Sequence, residues 1–398
     1  MLELNKLTKQ VDSMAEALAG QKRSLQDRAK QAREALQQHA TVSEVLKDKL
    51  RQARDTDPSW RGAYPLGDRL DVIHQVPHQT EAVTLIATDG SQIYPDPHSF
   101  ALYYLTNVGS IILRQGSGVA PSTSTDPILK IATDDPDEEQ DSDRIDTDEV
   151  NLRRDLREVA ALAVLAHTER DALGGDMERM IVALGDGPLL PWIPERLSNV
   201  EQERRVSQFA AHLDNLRSSY VTPLGYVDRP RSANLLRLLH LAGMEIEEIT
   251  KERLRKDNPY RGLTDRILFP ELSPGQRTGL FATTSEINHR YEKKHHKICF
   301  CYMNVSWQDF PDEPVLVRVE TPEWIARDSG RLDEALAAVW SDCRLMQYPY
   351  VLARAHELAV VSHRERENLE LMIRTEMIRR GLAVSESRKS TSKRHMRK

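Results

Sequence analysis

Ala82-Val-Thr-Leu-Ile-Ala-Thr-Asp-Gly-Ser91 is the stretch on which the reading of this chain turns. Residues 82–87 form an apolar run of strand length, and Asp89-Gly90-Ser91 turns the chain at its C-terminal end. A second stretch repeats the arrangement. Met180-Ile-Val-Ala-Leu184 lies in a strand expected over 178–187, which ends at Asp186-Gly187-Pro188. The clearest helix of the chain precedes that strand. Over residues 151–172 it places Leu152, Leu156, Val159, Ala160, Leu162 and Ala163 on one broad apolar face.

Further strands are expected within 98–114, at 221–227, at 298–305 and at 315–319. Helices are expected at 198–219, 232–242, 331–345, 349–362 and 364–380, with a loop-rich stretch between 242 and about 278. Strands first, helices interleaved and then terminal predict an α/β or α+β domain built on one central mixed sheet, here bounded at residues 82–384. Upstream, Leu4, Leu7, Val11, Met14, Leu18 and Leu25 make an apolar stripe that Leu46 and Leu50 resume. Residues 1–54 therefore read as a long amphipathic, coiled-coil-like helical arm, packed either on a partner helix or on its own domain. Residues 55–81, with Pro58, Pro65 and Pro77, read as a linker. Residues 115–149 read as a flexible acidic insertion, with ten acids and one Arg between Asp134 and Glu149. From Ser385 the tail, 385–398, is basic and expected to be disordered.

Composition narrows the function. The 398 residues carry 55 Lys and Arg against 61 Asp and Glu, a net charge of −6, which excludes a globally basic nucleic-acid binder but not a local basic surface. No run approaches the roughly 18 apolar residues of a membrane span. The opening MLELNKLTKQ lacks the pattern of a secretory signal, and three cysteines suit a reducing compartment, so a cytoplasmic location is expected. Cys299 and Cys301, alternating on one apolar strand, read as core thiols. No Walker motif, GxGxxG or zinc pattern is present.

The chemistry lies in the acids. Asp-Gly is the commonest turn dipeptide, so one such turn means nothing. Two, each after a strongly apolar strand, place two carboxylates where ligands bind in α/β sheets. If the strands are neighbours, the carboxylates repel unless something positive sits between them. Oxygen-only ligation suits Mg²⁺ or Mn²⁺, ions that support phosphodiester hydrolysis. Glu158 and Glu169, about three helical turns apart on nearly one face, are both candidates for a third carboxylate. Tyr348-Pro349 opens a late helix that carries His356, a metal ligand, a general acid or a structural residue. Arg229, Arg231, Arg266 and Arg277, in loops, are candidates for a DNA track. His289, His295 and His296 lie in a run with Arg290, Lys293, Lys294 and Lys297, read as a solvated basic edge able to contact phosphates.

The ordered set is recognisable. Asp89-Gly-Ser91, a helix with Arg154 and Glu158, Asp186-Gly-Pro-Leu189, Gly225-Tyr-Val-Asp-Arg-Pro-Arg-Ser232, Tyr348-Pro349 and Ala355-His356-Glu357 together resemble the NurA-domain nucleases over roughly residues 82–380. The resemblance implies an RNase H-like, Piwi-related fold and Mn²⁺-dependent nuclease activity on DNA ends. It also implies homodimers that work with a hexameric HerA-type ATPase, a DNA translocase, in end resection. Carried over, Asp89 matches the first acidic ligand, Asp186 the later one, Glu158 the helical glutamate, His356 the C-terminal histidine and Tyr348 the tyrosine near it. Two other expectations stand beside this one: a non-catalytic RNase H-like scaffold subunit of a translocase complex, and a metal-dependent phosphatase.

Overall fold

A computed structural model describes residues 3–78, 82–132, 146–194, 196–307 and 314–382. In chain order its strands are β1 (Ala63–Pro65), β2 (Ile73–Gln75), β3 (Thr84–Ile93), β4 (Tyr103–Arg114), β5 (Ser122–Ile131), β6 (Ile181–Asp186), β7 (Thr222–Val227), β8 (Gln276–Thr278), β9 (Phe281–Thr283), β10 (Ile298–Asn304) and β11 (Leu316–Pro322). Its helices are α1 (Thr8–Gln38), α2 (Glu44–Thr56), α3 (Thr147–Ala172), α4 (Asn199–Ser218), α5 (Asn234–Ala242), α6 (Lys251–Lys256), α7 (Glu286–Lys293), α8 (Glu323–Ala326), α9 (Ser329–Asp342), α10 (Tyr350–Ala359) and α11 (His363–Arg379). The chain forms two units, each from two separated stretches: Met1–His78 with Tyr226–Trp340, and Gln79–Gly225 with Ser341–Lys398.

The second unit holds both Asp-Gly pairs, but only Asp186-Gly187 ends its strand: β3 runs through Asp89-Gly90-Ser91 to Ile93, still paired with β4, where a turn was expected. Its strands run in the order β7-β6-β3-β4-β5. β3, β4 and β5 form an antiparallel meander, and β6 lies parallel to β3. The sheet is therefore mixed. The meander comes first, the helix α3 crosses to β6, and α4 leads on to β7, which is the RNase H-like order. Leu85, Ile86 and Ala87 of β3 and Ile181–Leu184 of β6 are fully buried. Continuous apolar runs of this kind belong to strands covered on both faces. The covers are α3 and α10. Thr88 Oγ donates to the carbonyl of Glu158 on α3 at 3.1 Å, and Arg157 of α3 donates to Thr106 Oγ at 2.6 Å. The alternate positions face α10: Ser91 Oγ and Asn107 Nδ2 donate to the carbonyl of Ala359, at 2.5 and 2.8 Å. α10 buries Val351, Leu352, Ala355 and Ala359 along one stripe.

The first unit packs β1-β9-β10-β11, with β8 paired to β10 and β2 paired to β8. Ala32, Leu36, Leu46, Leu50 and Ala53 of the N-terminal helices share one apolar core with Leu235, Leu239 and Phe281. The arm thus packs on its own domain from about Ala29 onward, while Leu4, Val11 and Met14 are exposed. The stretch 55–81 is not the linker its prolines suggested. β1 pairs with β9, β2 pairs with β8, and buried Asp57 accepts two hydrogen bonds from Arg255, which hold its carboxyl at about 2. Pro65 is tolerated because β1 ends the strand order, where no ladder partner needs its missing N–H.

The insertion 115–149 is corrected in the same way. Residues 122–131 are β5, an edge strand on β4, and Asp146 caps α3 by accepting the Glu149 N–H at 2.9 Å. Residues 133–145 and the basic tail 385–398 lie outside the described residues. No helix among the described residues is long and apolar enough to cross a membrane. The three cysteines are buried free thiols.

Candidate active site

Four of the expected residues come together at one end of the second unit's sheet. The parallel register of β3 and β6 ends on the pair Thr88 and Gly185. Asp89 and Asp186 are the next residues on each strand, so their backbones stand about one strand spacing, roughly 4.8 Å, apart. Side chains at matched positions of parallel strands leave the sheet in the same direction.

His356 reaches Asp89 from α10. Its Nδ1 lies 2.6 Å from Asp89 Oδ2. A carboxylate only accepts, so Nδ1 carries the proton and donates it, which leaves Nε2 as the ring's other functional nitrogen. The Asp89 side chain is 15 % exposed and the His356 ring 64 %. A glycine makes this contact possible. Gly109 of β4 is the cross-strand partner of Asp89, and a Cβ there would stand 2.4 Å from the carbonyl oxygen of Ala355. Without it α10 settles backbone-to-backbone on the sheet, one residue from His356.

Glu158 approaches from α3. Gly90 leaves the room, since a Cβ there would lie 2.3 Å from Glu158 Oε1 and 2.7 Å from Arg154 Cγ. The Glu158 side chain is 18 % exposed, and Arg154 Nε lies 3.0 Å from its Oε1. Burial pushes its carboxyl up to about 8. The Arg154 guanidinium opposes that rise, and the negative charges of Asp155, Asp89 and Asp186 add to it. Arg154 itself is fixed by Asp155 and by Gln92 Oε1 at 2.9 Å.

Glu169, the alternative, is elsewhere. It is buried at 3 % exposure in a two-pronged ion pair with Arg114 of β4, at 2.7 and 2.6 Å. Tyr348 is half-buried ahead of Pro349, the residue before α10, and roughly 9 Å of helix rise separates Tyr350 from His356.

Among the expected DNA contacts, Arg229, Arg231 and Arg266 are exposed on the first unit. Arg277 is not available. It is 2 % exposed and paired with Asp333 at 2.8 Å. An arginine on β8 that points inward needs such a partner, and Asp333 supplies it from α9. His296 is likewise no solvated edge: it is fully buried and accepts from Trp324 Nε1 at 3.2 Å.

Asn107 and Gly109 were not singled out from the sequence, and Ser91 was read only as part of the Asp-Gly-Ser motif. One signal was there, since an isolated glycine inside an apolar strand marks a close backbone approach.

The donors suit a hard divalent cation in kind: three carboxylates whose mutual repulsion is visible in Glu158. Among the described residues no group of three or more His, Cys, Asp or Glu side chains is placed to hold a metal ion. Asp89 and Asp186 are close enough to act on the charge of Glu158, and Asp89 is turned to His356.

The NurA domain matches residues 83–361. No curated protein matches the sequence. The structure of the NurA nuclease from Sulfolobus solfataricus is similar at a TM-score of 0.44 and 12% identity, covering 84% of this chain and 93% of that one. The catalytic domain of human Endonuclease V is similar at a TM-score of 0.32 and 13% identity, covering 83% and 98%. With the domain spanning Asp89, Asp186, the helix of Glu158 and the helix of His356, this chain belongs to the NurA-domain family of nucleases.

Proposed function

We propose that this chain is a metal-dependent deoxyribonuclease, cleaving as endo- and exonuclease, that processes double-strand-break ends as a homodimer beside a hexameric HerA-type translocase. One observation carries the chemistry. Asp89 and Asp186 sit on adjacent parallel strands at the same level, and Glu158 feels both their charges from the flanking helix.

Asp89, Asp186 and Glu158 are the residues to hold Mn²⁺ or Mg²⁺, with His356 beside them. Such an ion, when bound, lowers the pKa of a water and offsets charge on a phosphate. The rest is the work of the chain itself. Arg154 fixes the Glu158 carboxyl at one oxygen and leaves the other. Asp89 orients His356, whose exposed ring presents Nε2 to give a proton to a leaving oxygen or to take one from an attacking water. Gly109 and the hydrogen bonds from Ser91 and Asn107 hold α10 where that ring is needed. Arg229, Arg231 and Arg266 are the proposed backbone contacts for DNA; Arg277 is withdrawn from that role.

The test is degradation of linear single- and double-stranded DNA by the full chain in Mn²⁺, alongside calorimetric titration of Mn²⁺. Asp89→Ala and Asp186→Ala should each abolish degradation and weaken Mn²⁺ binding with the fold intact. A folded wild-type chain that binds no Mn²⁺ would instead support the scaffold reading, and activity retained in either variant would remove that aspartate from the site.

A further inference from the structure

Lys47, Arg51 and Arg54 stand at i, i+4 and i+7 of α2, on one stripe of the helix. They line a cavity of about 310 Å³ in the first unit. Lys297, His289 and Tyr64 of β1 line it too, with Lys297 Nζ 5.2 Å from the Tyr64 ring centre. The volume is at the lower end of ligand pockets, roughly 300–1,000 Å³.

The charge inside is lopsided. Four permanent cations line the cavity and only one carboxylate does, that of Glu292. Glu292 accepts from Lys297 at 3.1 Å. Lys47 and Arg51 lean on Glu44 and Asp48, at 2.8 and 2.9 Å, but those acids lie one turn back on α2 and outside the lining. Among the described residues Arg54 has no carboxylate partner. Its Nη2 lies 3.0 Å from His289 Nδ1, and the same Nδ1 lies 3.2 Å from Glu292 Oε2. One ring nitrogen cannot accept from the guanidinium and donate to the carboxylate in the same tautomer. An anion taking Arg54 would leave His289 to Glu292. Ser285, the cap of α7, also lines the cavity, so the positive end of that helix adds to the field.

We propose that this cavity binds the phosphate monoester of a nucleoside 5′-phosphate, a free mononucleotide or the phosphorylated end of a DNA strand. A monoester carries close to two negative charges near neutral pH, against one for a backbone diester, and so matches a site with several cations. Lys297 and Arg54 hold the phosphate, Arg with its fork of donors and Lys as a point charge. The Tyr64 ring gives the nucleoside an aromatic face. The choice of a nucleoside over a bare phosphate rests on the nuclease reading above; the anion site does not.

The experiment is calorimetric titration of the full chain with dAMP, in chelator so that no cation bridges it to the carboxylates. Saturable binding is expected, weakened at least tenfold by Lys297→Ala and by Arg54→Ala, and severalfold by Tyr64→Ala but not Tyr64→Phe. Inorganic phosphate should bind more weakly than dAMP. A 5′-phosphorylated oligonucleotide that displaces dAMP, when its 5′-hydroxyl counterpart does not, identifies the strand end as the ligand; failure to displace identifies the free nucleotide. No dAMP binding, or binding equal in wild type and both charge variants, overturns the proposal. Phosphate binding as tightly as dAMP overturns its nucleoside half. Degradation of linear DNA in Mn²⁺, measured on the same wild-type preparation, judges the nuclease reading separately.

Discussion

Nδ1 of His356 lies 2.6 Å from Oδ2 of Asp89, a contact that closes 267 residues of chain. It gives the aspartate two tasks, as a carboxylate beside Asp186 and as the group that sets the histidine's tautomer. His356→Ala should therefore cost on the order of 10²–10⁴ in kcat on linear DNA, the range for a lost acid–base group. The ring is 64 % exposed, so the melting temperature should stay within a few degrees. Wild-type turnover in the folded variant would reduce His356 to a surface residue.

Two glycines make opposite predictions. A Cβ at Gly109 meets backbone, 2.4 Å from the Ala355 carbonyl oxygen and 2.5 Å from the Ala359 nitrogen, so α10 must lift. Gly109→Ala should lower stability by roughly 1–3 kcal/mol, as overpacking does, and remove activity with it. At Gly90 the Cβ meets side chains, Glu158 Oε1 and the Arg154 stem, which can swing aside. Gly90→Ala should leave the denaturation midpoint nearly unchanged yet cut activity at least tenfold, since Glu158 has moved. Chemical denaturation and DNA degradation on the two variants give the comparison.

What the sequence revealed follows from how each feature is encoded. β3 and β6 were legible because each opens on an apolar run, and α3, α4 and α10 because their periodicity survives in the chain; that β3 continues past Asp89-Gly90 to Ile93 was not legible, because the same dipeptide ends β6. β5 was hidden: every residue of it is exposed, so no alternation marks it, and Pro127 argues against a strand unless the strand is an edge. β1 and β2, three residues each, are too short to show a period. Arg277 and an exposed loop arginine look alike until Asp333, 56 residues on, folds against it. The ordered acids and His356 could be read; their meeting could not, because it depends on the parallel register of β3 with β6 and on Gly109 beneath α10.

Glu158 and Glu169 share a helix face in sequence and separate in space. Glu169→Ala leaves Arg114 without its carboxylate partner, and truncating one side of a buried ion pair costs about 3–5 kcal/mol. Arg114 keeps some exposure, so the lower end is expected, with activity per folded molecule preserved at low temperature. Glu158→Gln should do the reverse. The neutral amide replaces a carboxyl that burial already pushes up to about 8, so metal-free stability holds or rises at alkaline pH, while activity falls at least 100-fold. Added Mn²⁺ should raise the melting temperature of wild type and of Glu169→Ala but not of Glu158→Gln. Loss of activity in folded Glu169→Ala would exchange the two roles.

Asp342 gives the helix of His356 a pH dependence of its own. Pro349 offers no side-chain cap to α10, and Asp342 Oδ2 accepts the Val351 N–H at 3.0 Å instead. Burial raises its carboxyl from 3.8 to about 6, against the pull of the Val351 and Tyr350 N–H groups. A carboxyl raised on folding contributes stability that is full below pH 3.8 and is lost as pH climbs through 6. The difference is worth on the order of 3 kcal/mol. Asp342→Asn keeps an oxygen for Val351 and cannot ionise, so its stability should lack this decline. Urea denaturation of wild type and variant between pH 4 and pH 7.5, in chelator, should give a steeper fall for wild type. Parallel curves would show that Asp342 ionises alike in the folded and unfolded chain, and that the amide ends of α10 hold it charged after all.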